Sequence, residues 1–145
     1  MKKYKIGITF GVFDLLHEGH LRLLKRASER CELLIVAVSA DGYVRDTKEI
    51  RPAMPASVRK SCVKALPFVD RVINQSHSFT KQDAVKRYKP DVIFVGDDWS
   101  PATFGGEGLG VPVEYLERTK GVSSSYLREI VDGTEQKTVV IKKKV

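Results

Sequence analysis

Residues 4 to 10, Tyr-Lys-Ile-Gly-Ile-Thr-Phe, alternate in a β-rich run, while Leu21, Leu23, Leu24 and Ala27 recur at helical spacing among Lys, Arg and Glu. A strand followed by a helix is predicted. Leu33 to Val38 is a nearly continuous apolar run, as expected of a parallel strand buried on both faces, and Asp41 and Gly42 end it. Residues 42 to 56 hold Arg45, Lys48, Arg51, Pro52 and Pro55 with little periodicity and read as a basic, mobile loop. Ser57 to Leu66 then reads as a helix with Val58, Cys62, Ala65 and Leu66 on its apolar face. Beyond it the pattern gives a strand at Phe68 to Ile73, a helix at Lys81 to Tyr88, strands at Val92 to Val95 and Val111 to Leu116, and a last helix at Ser124 to Val131. Alternating strands and helices call for βαβ units and an α/β fold: a five-stranded parallel sheet with helices on both faces. In such a sheet ligands bind beyond the carboxyl ends of the strands, so functional residues should follow strands closely.

Length fits this picture with one domain, since 145 residues bury a core without disulfide or metal staples. We expect a globular domain at 1–132 and a basic tail or arm at 133–145, where Thr138-Val139-Val140-Ile141 could form an edge strand. The composition, 42% hydrophobic and 30% charged, suits a packed soluble domain. No run approaches the ~18 apolar residues of a membrane span, and the start lacks a cleavage signature, so a cytoplasmic protein without a membrane partner is expected. Net charge is +7, of which the tail carries +3. The excess favours anionic partners. No helix-turn-helix, zinc-finger or aromatic RNA-binding pattern accompanies it, and nucleic acid is not expected. Cys31 and Cys62 lack C-x-x-C spacing and read as reduced, packed thiols.

The chemistry concentrates at Gly11-Val12-Phe13-Asp14-Leu15-Leu16-His17-Glu18-Gly19-His20, at the junction of the first strand and first helix. His17 and His20 are three apart, with Gly19 permitting close backbone approach, so both imidazoles can face one ligand at a helix N-terminus that favours anions. A phosphate site follows. Asp14, His17 and His20 also supply the residue types of a two-histidine, one-carboxylate metal site, although a carboxylate before a turn commonly organises backbone N–H groups instead. His77, in a polar loop, reads as an ordinary surface histidine. Gly105 to Gly110 looks like a dinucleotide fingerprint but precedes a strand, and reads as a flexible loop.

Gly11 to His20 resembles the G-x-F-D-[LM]-x-H-x-G-H form found in the cytidylyltransferase branch of the H-x-G-H nucleotidylyltransferase superfamily. Arg118-Thr119-Lys120-Gly121-Val122-Ser123-Ser124-Ser125 is similar to the R-T-x-G-[IV]-S-[ST]-[ST] signature of the same families, and Gly96-Asp97-Asp98-Trp99 to a segment of glycerol-3-phosphate cytidylyltransferases. The resemblance spans residues 4 to 131. It implies a single Rossmann-like domain, a homodimer, and transfer of CMP from CTP to a phosphorylated alcohol, with Mg²⁺ carried by the nucleotide rather than by protein ligands. It implies catalytic roles for His17, His20, Lys48 and Arg118, and nucleotide contacts from Thr9, Phe10, Gly11, Asp14, Gly19, Arg59, Asp97, Thr119, Ser123 and Ser124. Arg118 would bring a planar five-donor fork to a base carbonyl or phosphate, and the serines hydroxyls at a helix start. Lys48 and Arg59 would neutralise the transferring group.

The match departs at three places. Pro67 stands where family members often carry arginine, Glu18 stands where glycerol-3-phosphate enzymes tend to have tryptophan, and Asn74 to Phe79 lacks another tryptophan. These positions concern the acceptor more than the nucleotide, which leaves a sugar or polyol phosphate or phosphoethanolamine open beside glycerol 3-phosphate. Adenylyl transfer, for example to FMN, is the alternative chemistry, and a nucleotide-binding regulatory module the non-enzymatic one.

Overall fold

The computed structural model describes residues 2–48, 51–96 and 108–116. Within them the chain runs β1 (Tyr4–Gly11), α1 (Glu18–Arg30), β2 (Cys31–Ser39), α2 (Asp41–Lys48), α3 (Ala56–Lys64), β3 (Arg71–Gln75), α4 (Lys81–Tyr88), β4 (Val92–Gly96) and β5 (Val113–Leu116). All strand pairs are parallel, in the order β3-β2-β1-β4-β5. The alternating sequence thus gives the five-stranded α/β sheet it predicts. The expected last helix at 124–131 and the domain boundary at 132 lie outside the described residues.

Side-chain alternation along β2 divides the interior in two. Leu34, Val36 and Val38 join Leu24 and Ala27 of α1 and Val63 of α3 on one face, while Ile35 joins Ile8, Ile93 and Ala84 of α4 on the other. Helices therefore cover both faces, and the uninterrupted apolar run of β2 is the direct consequence. Cys31 and Cys62 are free thiols; Cys31 is buried against the Ala27 carbonyl, and that burial pushes its pKa up to about 11.

Three elements differ from the pattern reading. Residues 41–48 form α2 rather than a loop: Asp41 sits in the first turn, where a carboxylate suits the helix dipole, and among the described side chains of its two turns Val44 alone is fully buried, too little to leave a periodic signal. In α3 the inward face carries Arg59 and Val63, whereas Val58 is 42% exposed, so the buried stripe lies one position further along than read. The third strand begins at Arg71 instead of Phe68. Phe68 and Val69 still pack on the core, but from the turn after α3, and Asp70 makes the entry into the sheet: its amide donates to the Leu34 carbonyl and its carboxylate accepts from the Leu34 amide at 2.7 Å. Asp91 does the same before β4, its amide donating to the Ile6 carbonyl and its carboxylate accepting from the Ile6 amide at 2.9 Å.

The sheet order places the site. From β1 the chain adds β2 and β3 on one side, then crosses to add β4 and β5 on the other. The two sets meet at β1 and β4, the switch point beyond whose carboxyl ends sheets of this kind bind their ligands. The segment from Val12 to His17 leaves β1 at that point and leads into α1.

Candidate active site

The turn between β1 and α1 is conformationally unusual. Phe13 and Leu15 adopt φ of 53° and 49°, left-handed values that bulky residues occupy only where surrounding contacts impose them. Those contacts are present. Phe13 is buried, and its ring folds back over Gly11 so closely that a Cβ there would lie 2.8 Å from a ring carbon. Asp14, also buried, accepts hydrogen bonds from the amides of Ala53 (2.6 Å) and Met54 (3.0 Å), tying the turn to the segment before α3. Arg59 ties the same parts from below: Nη1 donates to the carbonyls of Val12 (2.7 Å) and Ser39 (2.9 Å), Nε to that of Met54 (2.9 Å), and Nη2 to the carboxylate of Asp41. Partial burial alone would raise the Asp41 pKa, but the Ala56 amide and this guanidinium outweigh it and hold it low.

On this frame sit the two histidines. His17 is the N-cap of α1, in extended conformation, and its Nδ1 accepts from the Gly19 amide at 3.0 Å. The His17 amide in turn donates to Nδ1 of His20 at 3.2 Å. The rings stack with centroids 3.9 Å apart, and the Phe13 ring meets His20 edge-on at 5.6 Å. Reciprocal capping of this kind satisfies two amides that a helix start otherwise leaves without partners.

It also fixes chemistry. A neutral imidazole carries one ring proton, and an Nδ1 that accepts a hydrogen bond cannot hold it, so in both rings the proton resides on Nε2. Burial lowers the pKa of both groups, and that of His20 falls to about 3, with the neighbouring His17 adding to the effect and Asp14 opposing it. Both rings are therefore neutral Nε2–H donors at ordinary pH. Neither Nε2 has a protein partner among the described residues. Two stacked donors at the head of a 13-residue helix, at the carboxyl end of β1, suit the oxygens of an anion.

The sequence-derived residues divide accordingly. Thr9, Phe10 and Gly11 end β1, Gly19 supplies the amide that orients His17, and the two histidines meet as expected. Arg59, expected to contact the nucleotide, is wholly buried, with its guanidinium turned to protein carbonyls and Asp41. Asp14 organises backbone amides, as a carboxylate before a turn commonly does, though those of a segment 39 positions away. The Asp14, His17, His20 metal triad is not formed, because both Nδ1 atoms and both Asp14 oxygens already accept from amides, and among the described residues no three potential ligands gather around a common point. Lys48 closes α2. Asp97, Arg118, Thr119, Ser123 and Ser124 lie outside the described residues. Sequence reasoning missed the structural position of Arg59, because a buried arginine reads along a chain like any surface cation.

The sequence model of the cytidylyltransferase-like family matches residues 8–130, a span that runs from β1 through the H-x-G-H turn to the serine motif. The chain belongs to that family. It is 35% identical over 130 residues to a glycerol-3-phosphate cytidylyltransferase of Staphylococcus aureus, covering 90% of this chain and 97% of that protein. An FAD synthase of Pyrococcus horikoshii is 42% identical over 91 residues, covering 63% of this chain and 62% of that protein. Among solved structures, the lipopolysaccharide core biosynthesis protein of Thermoplasma volcanium superposes with a TM-score of 0.67 at 28% identity, over 82% of this chain and 99% of that one. The chain is thus a nucleotidyltransferase on a Rossmann-like sheet. Among the described residues, no helix is long and apolar enough to cross a membrane.

Proposed function

We propose that the protein transfers CMP from CTP to a phosphorylated alcohol, with glycerol 3-phosphate as the first acceptor to test. The observation that carries this reading is the pair of neutral imidazoles held as Nε2–H donors at the start of α1. Similarity to the staphylococcal glycerol-3-phosphate cytidylyltransferase over nearly its whole length supports the choice of nucleotide and acceptor.

A phosphate oxygen of the acceptor attacks the α-phosphorus of CTP, the bond from that phosphorus to the bridging oxygen breaks in line, and pyrophosphate leaves with the electron pair. The acceptor is already anionic, so no strong base is required, and the protein's work is positioning and charge stabilisation. His17 and His20 donate from Nε2 to α-phosphate and bridging oxygens as charge builds on them. Their lowered pKa matters here: burial favours the neutral form of both rings, so the donors stay in place without exchanging a proton. Lys48 and Arg118 balance the remaining phosphate charge, while Arg59 and Asp14 hold the turn that carries the histidines. Mg²⁺ accompanies the nucleotide, supplying charge neutralisation on its phosphates, and no step is assigned to a protein-bound ion.

The test is pyrophosphate release from CTP and glycerol 3-phosphate. Wild-type protein is expected to turn over, and His17→Ala or His20→Ala to lose about 10² to 10³ in kcat. Near-normal turnover in either variant defeats the assigned roles. The similarity to an FAD synthase favours adenylyl transfer to FMN as the second reading. ATP with FMN in the same assay separates the two.

A further inference from the structure

The segment from 133 to 145 carries a pattern that the catalytic scheme above leaves unused. Thr138-Val139-Val140-Ile141 is a run of four β-branched residues in an otherwise polar, basic stretch that closes with Lys142-Lys143-Lys144-Val145. The family match ends at residue 130, before this segment begins, and the segment lies outside the described residues. Four β-branched residues in succession favour a strand, and so short a strand is stable only where a sheet supplies its partners. Among the described residues the sheet has two edges, β3 and β5. Each edge presents backbone N–H and C=O groups on which a further strand can pair.

Charge and length select β5. It carries Glu114, whose Oε1 meets Arg30 at 3.3 Å while Oε2 has no hydrogen-bond partner, whereas β3 opens on Arg71, which repels a basic tail. The four residues of β5 also match the four of the run. The connection fits as well. β5 ends at the carboxyl end of the sheet, so a strand parallel to it must start from the opposite end. The 21 residues from 117 to 137 make that return, and they include the helix predicted at Ser124 to Val131. Eight residues of helix rise about 12 Å and four residues of strand about 13 Å, so one helical pass brings the chain back to the level where β5 begins. Strand, helix and parallel strand repeat the connection that builds the rest of the sheet.

We propose that Thr138 to Ile141 of the same chain adds to the outer edge of β5 as a sixth parallel strand, and that it brings Lys142, Lys143 and Lys144 to the carboxyl end of the sheet to attract a nucleoside triphosphate. The choice of ligand rests on the transferase reading above. β1 ends on that side of the sheet with the histidine turn, three strand spacings or about 14 Å away. Three ammonium groups on flexible stems raise the potential over this end of the sheet and draw in a polyanion. The added strand also covers the β5 edge against pairing between molecules.

Two measurements on the full chain test the proposal. Nuclear Overhauser spectra of ¹⁵N-labelled protein should show cross-strand contacts between residues 138–141 and 113–116, unchanged on dilution. The double variant Val139→Pro, Val140→Pro removes the ladder donors and should abolish them. Calorimetric titration with CTP and Mg²⁺ at about 50 mM salt should then show affinity falling about fivefold or more in the triple variant Lys142→Gln, Lys143→Gln, Lys144→Gln. The proline variant keeps its lysines but loses their placement, and its affinity should fall as well. Both differences should shrink at about 500 mM salt. Absent contacts, contacts to β3, contacts that vanish on dilution, or a proline variant with wild-type affinity overturn the added strand. Unchanged CTP affinity in the triple variant overturns the role of the lysines. Strand contacts and lysine-dependent CTP binding without pyrophosphate release from any acceptor uphold the proposal and overturn the transferase reading instead.

Discussion

His17 and His20 make two statements with the same hydrogen bonds. Each Nδ1 accepts a helix-start amide, which stabilises the turn, and each ring is thereby left with its proton on Nε2, the donor that the proposed function assigns to phosphate. The linkage has a sign. An unfolded histidine takes up a proton below its ordinary pKa of 6.5, but folded His20 resists until about 3. Between those values the unfolded state binds more protons, so stability falls as pH drops through that window. Urea unfolding at pH 7 and pH 5 should therefore show a larger loss in the wild type than in His20→Asn; equal losses would count against the buried neutral ring. Gly11 and Arg59 are equally local in their demands. Gly11→Ala drives a methyl into the Phe13 ring and should cost about 1 to 3 kcal/mol, read as a lower urea midpoint. Arg59→Met leaves the carbonyls of Val12, Ser39 and Met54 without this donor and the Asp41 carboxylate without its guanidinium. A loss of about 3 kcal/mol is expected, with turnover in the residual folded protein falling as the turn loosens. Unchanged stability in Arg59→Met would show that the frame does not depend on it.

Elements were legible in proportion to how much apolar surface they bury. β2 is buried on both faces and α1 hides Leu24 and Ala27, and each leaves a pattern along the chain that names its type. α2 buries Val44 alone among its described side chains and is held by the Asp41 position and the Ala40 carbonyl, so periodicity misses it. α3 is harder still, because the residue on its inward face is an arginine whose place inside depends on carbonyls from three separate segments. Strand entries escape the pattern for a related reason. Asp70 and Asp91 are polar residues, yet each pairs through amide and carboxylate with the neighbouring strand and sets where β3 and β4 begin. Replacing Asp70 by Ala leaves the Leu34 amide unpaired and should destabilise by about 1 to 3 kcal/mol, measurable by chemical denaturation. A neutral outcome would mean that the entry is fixed by the packing of Phe68 and Val69 instead.

At the scale of the whole molecule, the order β3-β2-β1-β4-β5 turns a local motif into a site. The ten residues from Gly11 to His20 announce an anion-binding turn in sequence, but only the crossover between β1 and β4 puts that turn at the switch point of the sheet, and only the contacts of Asp14 and Arg59 show why it keeps its left-handed residues. The contacts among Phe10, Tyr43, Gln75 and Lys81 were illegible for the same reason: these residues are far apart along the chain and meet because three parallel strands end at one level. The most direct test of the central claim is long-range ¹H–¹⁵N NMR of the two imidazoles at pH 7, before and after addition of CTP with Mg²⁺. Both rings should appear neutral with the proton on Nε2, and both Nε2 signals should move on nucleotide binding. Protonated rings, an Nδ1–H tautomer in either ring, or Nε2 signals indifferent to bound CTP would contradict the account.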